Sequence, residues 1–113
     1  MPPDAPTTVI EVRDGQITRY TVSPEEVSLP LAPGEEIPGG DPAANAETAR
    51  RIFGGETGPA RDLAVLNAAA AIYVGGGASS LAEGVQAAQS AIDSGAAAET
   101  VERFVAATHE PAA

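Results

Sequence analysis

The stretch from Asp62 to Val74, Asp-Leu-Ala-Val-Leu-Asn-Ala-Ala-Ala-Ala-Ile-Tyr-Val, closed by Gly75-Gly76-Gly77, limits the folds open to this chain more than any other. Apart from Asp62 and Asn67, every residue in it is apolar or the amphipathic Tyr73. A helix that is apolar on all sides must be covered on all sides. This one is too short to span a bilayer, which takes about 20 apolar residues. It reads as the buried centre of a helical layer. The question it poses is whether 113 residues can supply the cover.

Composition makes that doubtful. Hydrophobic residues are 43% of the chain, but 24 of them are alanine, against 5 Leu, 6 Ile, 9 Val and 2 Phe. Buried alanine removes little apolar area, and stabilisation scales at roughly 25 cal/mol per Å². Helices should form readily and still need neighbours. The net charge of -10, with six Arg and no Lys, opposes binding to nucleic acid or to an anionic membrane surface. Cysteine is absent, which removes disulfides, thiolate chemistry and cysteine zinc sites. The opening Met-Pro-Pro-Asp-Ala-Pro lacks the basic and apolar regions of a secretory signal, and the expected location is cytoplasmic.

The rest of the chain predicts an α+β piece, a β-hairpin followed by about four helices in one partial domain. Thr7–Arg13 and Gln16–Val22 are β-rich runs joined by Asp14-Gly15, the signal for a two-residue type I′ turn. That register sets Val12 against Ile17 and Val9 against Tyr20. Each face keeps apolar residues, so the ribbon should join a larger sheet or lie under helices. Residues 23–40 read as a short turn and loop. Ser23-Pro24-Glu25-Glu26 has capping-box chemistry for one helical turn, and Ser28 to Gly40 is an extended surface connection rich in Pro and Gly.

Residues 41–108 form the helical layer. Asp41-Pro42 opens a helix to Phe53 with an apolar stripe of Ala46, Ala49, Ile52 and Phe53. Gly58-Pro59 begins the central helix, which Gly75 should end as a left-handed cap. Ser80-Leu81-Ala82-Glu83 is a second capping box, opening a helix with Leu81, Val85, Ala88 and Ile92 inward. A last helix, about Ala97 to Thr108, carries Val101, Phe104 and Val105 on one face. Residues 109–113 are a tail expected to fray.

Each candidate for chemistry has a plainer explanation. Gly39-Gly40-Asp41 precedes a helix, where backbone N–H groups attract anions, but an Asp at the N-cap would repel a phosphate. Gly75-Gly76-Gly77 follows a helix and fits a stop signal. Glu25-Glu26 and Glu35-Glu36 could hold magnesium together with substrate phosphates, yet they lie on polar, proline-rich segments and read as solvated charge. Asn67, an amide within an apolar helix, must find hydrogen-bond partners or cost about 1 to 3 kcal/mol, and a bond to a neighbouring loop is the expected solution. His109 is the single histidine, so triads and His-rich metal sites cannot be assembled. Arg50, Arg51 and Arg61 could meet an anion, and helix salt bridges explain them equally.

Several motifs in order carry a family resemblance. They are Thr-Thr-Val (7 to 9), Glu-Val-Arg-Asp-Gly (11 to 15), Gly-Gly-Asp-Pro-x-x-Asn-Ala (39 to 46), Gly-Pro-x-Arg-Asp (58 to 62), Leu-Asn-Ala-Ala-Ala-Ala-Ile-Tyr-Val (66 to 74), Ser-Leu-x-Glu-Gly-Val (80 to 85) and Ala-Ile-Asp-Ser-Gly (91 to 95). From about Pro6 to Thr108 the chain resembles the C-terminal part of the large α/β domain of anthranilate phosphoribosyltransferase, on the nucleoside phosphorylase-like fold. The resemblance implies a homodimeric, magnesium-dependent enzyme of tryptophan biosynthesis that joins anthranilate to phosphoribosyl pyrophosphate and releases pyrophosphate. The family's glycine phosphate loop, its Asn and Ser/Thr segment, its Lys-His segment and its Asp-Glu metal pair have no counterpart here. No catalytic, substrate-binding or metal residue carries over, and no cofactor is expected for this chain alone.

Three readings follow. The first is an inactive C-terminal portion of that enzyme, which would meet both substrates only with the N-terminal part supplied. The second is a non-catalytic binding or assembly module that keeps the scaffold and associates with itself or with a separate N-terminal part. The third is a nucleoside phosphorylase or a paralogue with another aromatic amine, inseparable here because acceptor-binding residues lie outside this chain.

Overall fold

In the computed structural model, which describes residues 1–112, two strands precede four helices. β1 (Thr7–Arg13) and β2 (Gln16–Val22) are antiparallel. Val12 lies opposite Ile17 and Val9 opposite Tyr20, the register that Asp14-Gly15 dictates. Both turn residues have positive φ, 50° and 75°, as a type I′ turn requires. Among the described residues the sheet has these two strands only.

Its two faces differ. Thr7, Val9 and Glu11 are half-buried, while Thr8, Ile10 and Val12 between them are exposed. One face therefore turns toward the helices and the other toward solvent.

The helices are α1 (Pro42–Phe53), α2 (Pro59–Val74), α3 (Leu81–Asp93) and α4 (Ala96–Thr108). α2 and α3 form the closest helix pair. The core is Val65, Leu66 and Ala69 of α2 with Val85, Ala88 and Ile92 of α3, roofed by Val27 and Leu29. Gly84 is what lets the two helices meet, since a Cβ there would stand 2.6 Å from the carbonyl oxygen of Ala69. Ile52, Phe53, Leu81 and Ala97 pack around the edge. None of the described helices is long and apolar enough to cross a membrane.

The central helix is not the buried centre that its composition predicts. Arg61, Val65, Leu66 and Ala69 are buried along one stripe, whereas Ala64, Asn67, Ala68, Ala71 and Val74 are exposed or only half-buried. This chain covers α2 on one side only.

Four local expectations are also corrected. Pro24–Val27 is a 3-10 turn whose Ser23 makes no side-chain cap bond. The Ser28 to Gly40 connection is not wholly superficial, because Leu29 and Ala32 are buried and the Ala32 N–H donates to the Pro3 carbonyl at 3.0 Å.

At the end of α2, Gly75 keeps right-handed helical geometry with φ -76°, and the left-handed residue is Gly76 at φ 83°. Gly77 then donates to Ile72 and Gly76 to Tyr73, the crossed bonds of a Schellman motif. At the start of α3, Ser80 accepts from the Glu83 N–H at 3.1 Å as a capping box requires. The Glu83 carboxylate, however, reaches past Ser80 to the N–H and hydroxyl of Ser79. Of the predicted tail, residues 109–112 follow α4 and are exposed, and Ala113 lies outside the described residues.

Candidate functional site

Where the hairpin meets the helices an open cleft of about 600 Å³ remains. Glu11, Val12 and Arg13 line one wall, Tyr73, Val74 and the glycine turn the other, and Ser79 and Glu83 its end. Its geometry follows from two local motifs. The type I′ turn brings the strand ends level, and the Schellman turn swings the chain from α2 into α3.

The polar groups in it neutralise one another. The Glu11 carboxylate beside the Tyr73 phenol holds it above its ordinary range, with smaller contributions from burial and from neighbouring charge. Glu83 is held below the ordinary glutamate range by the hydroxyl and then the N–H of Ser79. Two carboxylates against Arg13 leave no net positive potential for an anion. The cleft thus holds a wall of apolar and paired polar groups, and its Ser79 hydroxyl meets a Glu83 carboxylate whose lowered titration makes it a weak base.

The residues singled out in the sequence are not brought together. Asp41 accepts from Ala44 N–H at 2.8 Å as the cap of α1. Gly40 is clamped by Asn45, whose side chain accepts from the Gly40 N–H at 3.0 Å and donates to its carbonyl at 2.9 Å. Two of the groups an anion would need are thereby committed to holding the loop. Asn45 was not among the sequence candidates, and its place four residues after the cap Asp is the signal that could have found it.

Glu25-Glu26 and Glu35-Glu36 sit exposed on two separate 3-10 turns. Among the described residues no three His, Asp or Glu side chains converge as metal ligands. These groups do not fit a magnesium site. His109 lies at the end of α4, its Nδ1 2.8 Å from the Val105 carbonyl.

Asn67 donates to the Leu63 and Met1 carbonyls at 3.0 Å, and its oxygen accepts from the Met1 amine at 2.6 Å. A structural bond to another segment was the expectation, and it is met, though on an exposed face. Arg50 and Arg51 pair with Glu47 and Glu56 at the surface.

Arg61 differs from them. Its guanidinium is buried and donates to Asp93 at 2.9 Å, tying the start of α2 to the end of α3. Burial pushes the neighbouring Asp62 carboxyl up, with Arg61 pulling it part of the way back.

Residues 1–98 match the profile of the glycosyl transferase family, α/β domain, and the chain belongs to that family. Among its relatives, it is 48% identical over 104 residues to an anthranilate phosphoribosyltransferase of Methylobacterium nodulans, a match covering 92% of this chain and 31% of that protein. With the anthranilate phosphoribosyltransferase of Anaeromyxobacter sp. strain K the identity is 48% over 106 residues, covering 94% of this chain and 32% of the relative. The crystal structure of anthranilate phosphoribosyltransferase from Thermus thermophilus superposes with a TM-score of 0.74 at 45% identity, covering 78% of this chain and 27% of that one. The chain spans about a third of the length of the relatives it matches.

Proposed function

We propose that this chain is the C-terminal scaffold portion of an anthranilate phosphoribosyltransferase and is inactive by itself. The observation that carries the reading is the 48% identity over 92% of the chain to proteins three times as long. The geometry supports it, because the polar groups singled out serve caps, clamps and ion pairs, and the largest helix lies half-covered. In this reading phosphoribosyl pyrophosphate, anthranilate and magnesium bind residues outside this chain. The whole enzyme works in the cytoplasm, as a homodimer, in tryptophan biosynthesis.

A chimera tests this. The segment of the Methylobacterium nodulans enzyme that this chain matches is replaced by the chain, and loss of anthranilate fluorescence is followed with phosphoribosyl pyrophosphate and magnesium. The chimera should consume anthranilate and the isolated chain should not. A folded but inactive chimera overturns the reading, and turnover by the isolated chain overturns its inactivity.

A further inference from the structure

The turn end of the ribbon stands in solvent on every side, each residue from Val12 to Thr21 being exposed. The strands there are held by each other alone, since the sheet has no third strand among the described residues. Such a ribbon is marginal in water, and segments exposed in this way open locally at small cost. Its tip is Asp14-Gly15, with φ of 50° and 75°. The Gly15 N–H finds no acceptor among the described residues, and a Cβ at Gly15 would meet nothing within 4 Å. An unbonded, uncrowded backbone nitrogen therefore follows directly on a carboxyl side chain.

No other aspartate of the chain has such a neighbour. Asp41 precedes Pro42, which carries no N–H. Asp62 and Leu63 lie inside α2, where the backbone is fixed. The Ser94 N–H donates to the Ser90 carbonyl at 2.9 Å, and Asp93 is held by Arg61. Ala5, which follows Asp4, has a side chain and is half-buried.

We propose that Asp14-Gly15 is a site of isoaspartate formation, and that the aged chain is a substrate for enzymes that methylate isoaspartyl carboxylates. When the tip opens and Asp14 leaves its left-handed geometry, the Gly15 nitrogen reaches the Asp14 Cγ. The N–Cγ bond forms, the bond from Cγ to the side-chain hydroxyl breaks, and that hydroxyl leaves with the N–H hydrogen as water, giving a succinimide. Water then opens the ring. Addition at Cγ restores aspartate, and addition at the former main-chain carbonyl leaves the chain running through Cβ and Cγ with a free α-carboxylate. That carboxylate accepts a methyl group from a sulfonium donor, which departs as a thioether. The added backbone atom no longer fits a two-residue turn, so the pairing of Arg13 with Gln16 and of Val12 with Ile17 loosens. The inference concerns the ribbon itself and does not rest on the proposed function.

The test ages the free chain at physiological temperature and neutral pH. Digestion with trypsin releases the peptide Asp14 to Arg19, in which isoaspartate is separated from aspartate at equal mass and located by fragmentation. The aged chain is also given to a recombinant isoaspartyl methyltransferase with S-adenosylmethionine. Isoaspartate should accumulate at Asp14 and not at Asp4, Asp41, Asp62 or Asp93, and methyl acceptance should rise with it. The folded chain should react at no less than about one tenth of the rate of the chain unfolded in guanidinium, the ratio set by an opening that costs about 1.4 kcal/mol or less. Asp14→Glu should abolish methyl acceptance. Gly15→Ala should slow the reaction severalfold, even though a side chain at φ 75° strains the turn and favours its opening.

An aged chain without isoaspartate at Asp14, equal accumulation at another aspartate, a folded rate below that tenth, or a Gly15→Ala chain that reacts as fast as the parent would each overturn the site. Isoaspartate at Asp14 that accepts no methyl group would overturn the chain's standing as a substrate.

Discussion

At the scale of single residues, two contacts set how α2 and α3 lie against each other. Gly84 and the Ala69 carbonyl are packed so closely that one added methyl has no space, and both residues are buried. Gly84→Ala should therefore destabilise the chain by about 1–3 kcal/mol through overpacking, although alanine is the better helix former. A urea titration reads this, with Gly39→Ala as control, since nothing stands within 4 Å of a Cβ there. An unchanged midpoint for Gly84→Ala would mean that the helices can part at no cost.

The Arg61–Asp93 pair is the polar counterpart of that contact. Asp93 remains largely in water while Arg61 is nearly enclosed, so the pair gives orientation more than stability. Gly84 was assigned to the helix from sequence without its packing role, because the neighbour that forbids a side chain is fifteen positions away. Arg61 read as one of several surface arginines, because its burial depends on α3 and not on its own helix.

Among the elements, α3 has the most explicit start signal. Ser80→Ala should cost about 1 kcal/mol of stability at neutral pH by leaving the Glu83 N–H without its cap. Glu83 adds a pH dependence. Its carboxyl titrates lower in the folded chain than when unfolded, so its contribution is complete above the ordinary glutamate range and is lost as pH falls through the lowered value. In Glu83→Gln the melting temperature should fall less steeply on that acid limb than in the parent. Parallel curves would show that the Ser79 contacts do not persist in solution.

Elements were legible in the sequence where their signals are local. Asp14-Gly15 and the polarity match of Val12 with Ile17 determined the hairpin register, and the caps Asp41 and Ser80 placed two helix starts to the residue. The left-handed glycine of α2 was misplaced by one because a Schellman turn uses the position after the C-cap. Ser23 opens a 3-10 turn too short to orient a cap bond. The burial of α2 was misjudged for a different reason. An apolar helix announces that it will be covered, without saying by which polypeptide.

For the whole molecule, the radius of gyration is 15.6 Å, against about 13 Å for a compact domain of this length. The excess reflects a ribbon standing off a small helical layer, and the overall extents of 42 × 38 × 25 Å agree. Small-angle scattering of the free chain should return the larger value. A value near the compact one would place the ribbon folded back over α2. The cleft itself was not legible, because Glu11, Tyr73 and Glu83 are far apart in sequence and meet only through the fold.

The short glycine turn between α2 and α3 has a kinetic consequence. The closest helix pair is joined by six residues, Gly75 to Ser80, and the strands of the ribbon by two. Both units are dominated by contacts near in sequence, which form early and fast. Few contacts between ribbon and helices remain to be made afterwards. The chain therefore acquires structure as two nearly independent nuclei, and the slow search for long-range partners falls to the assembly that receives them.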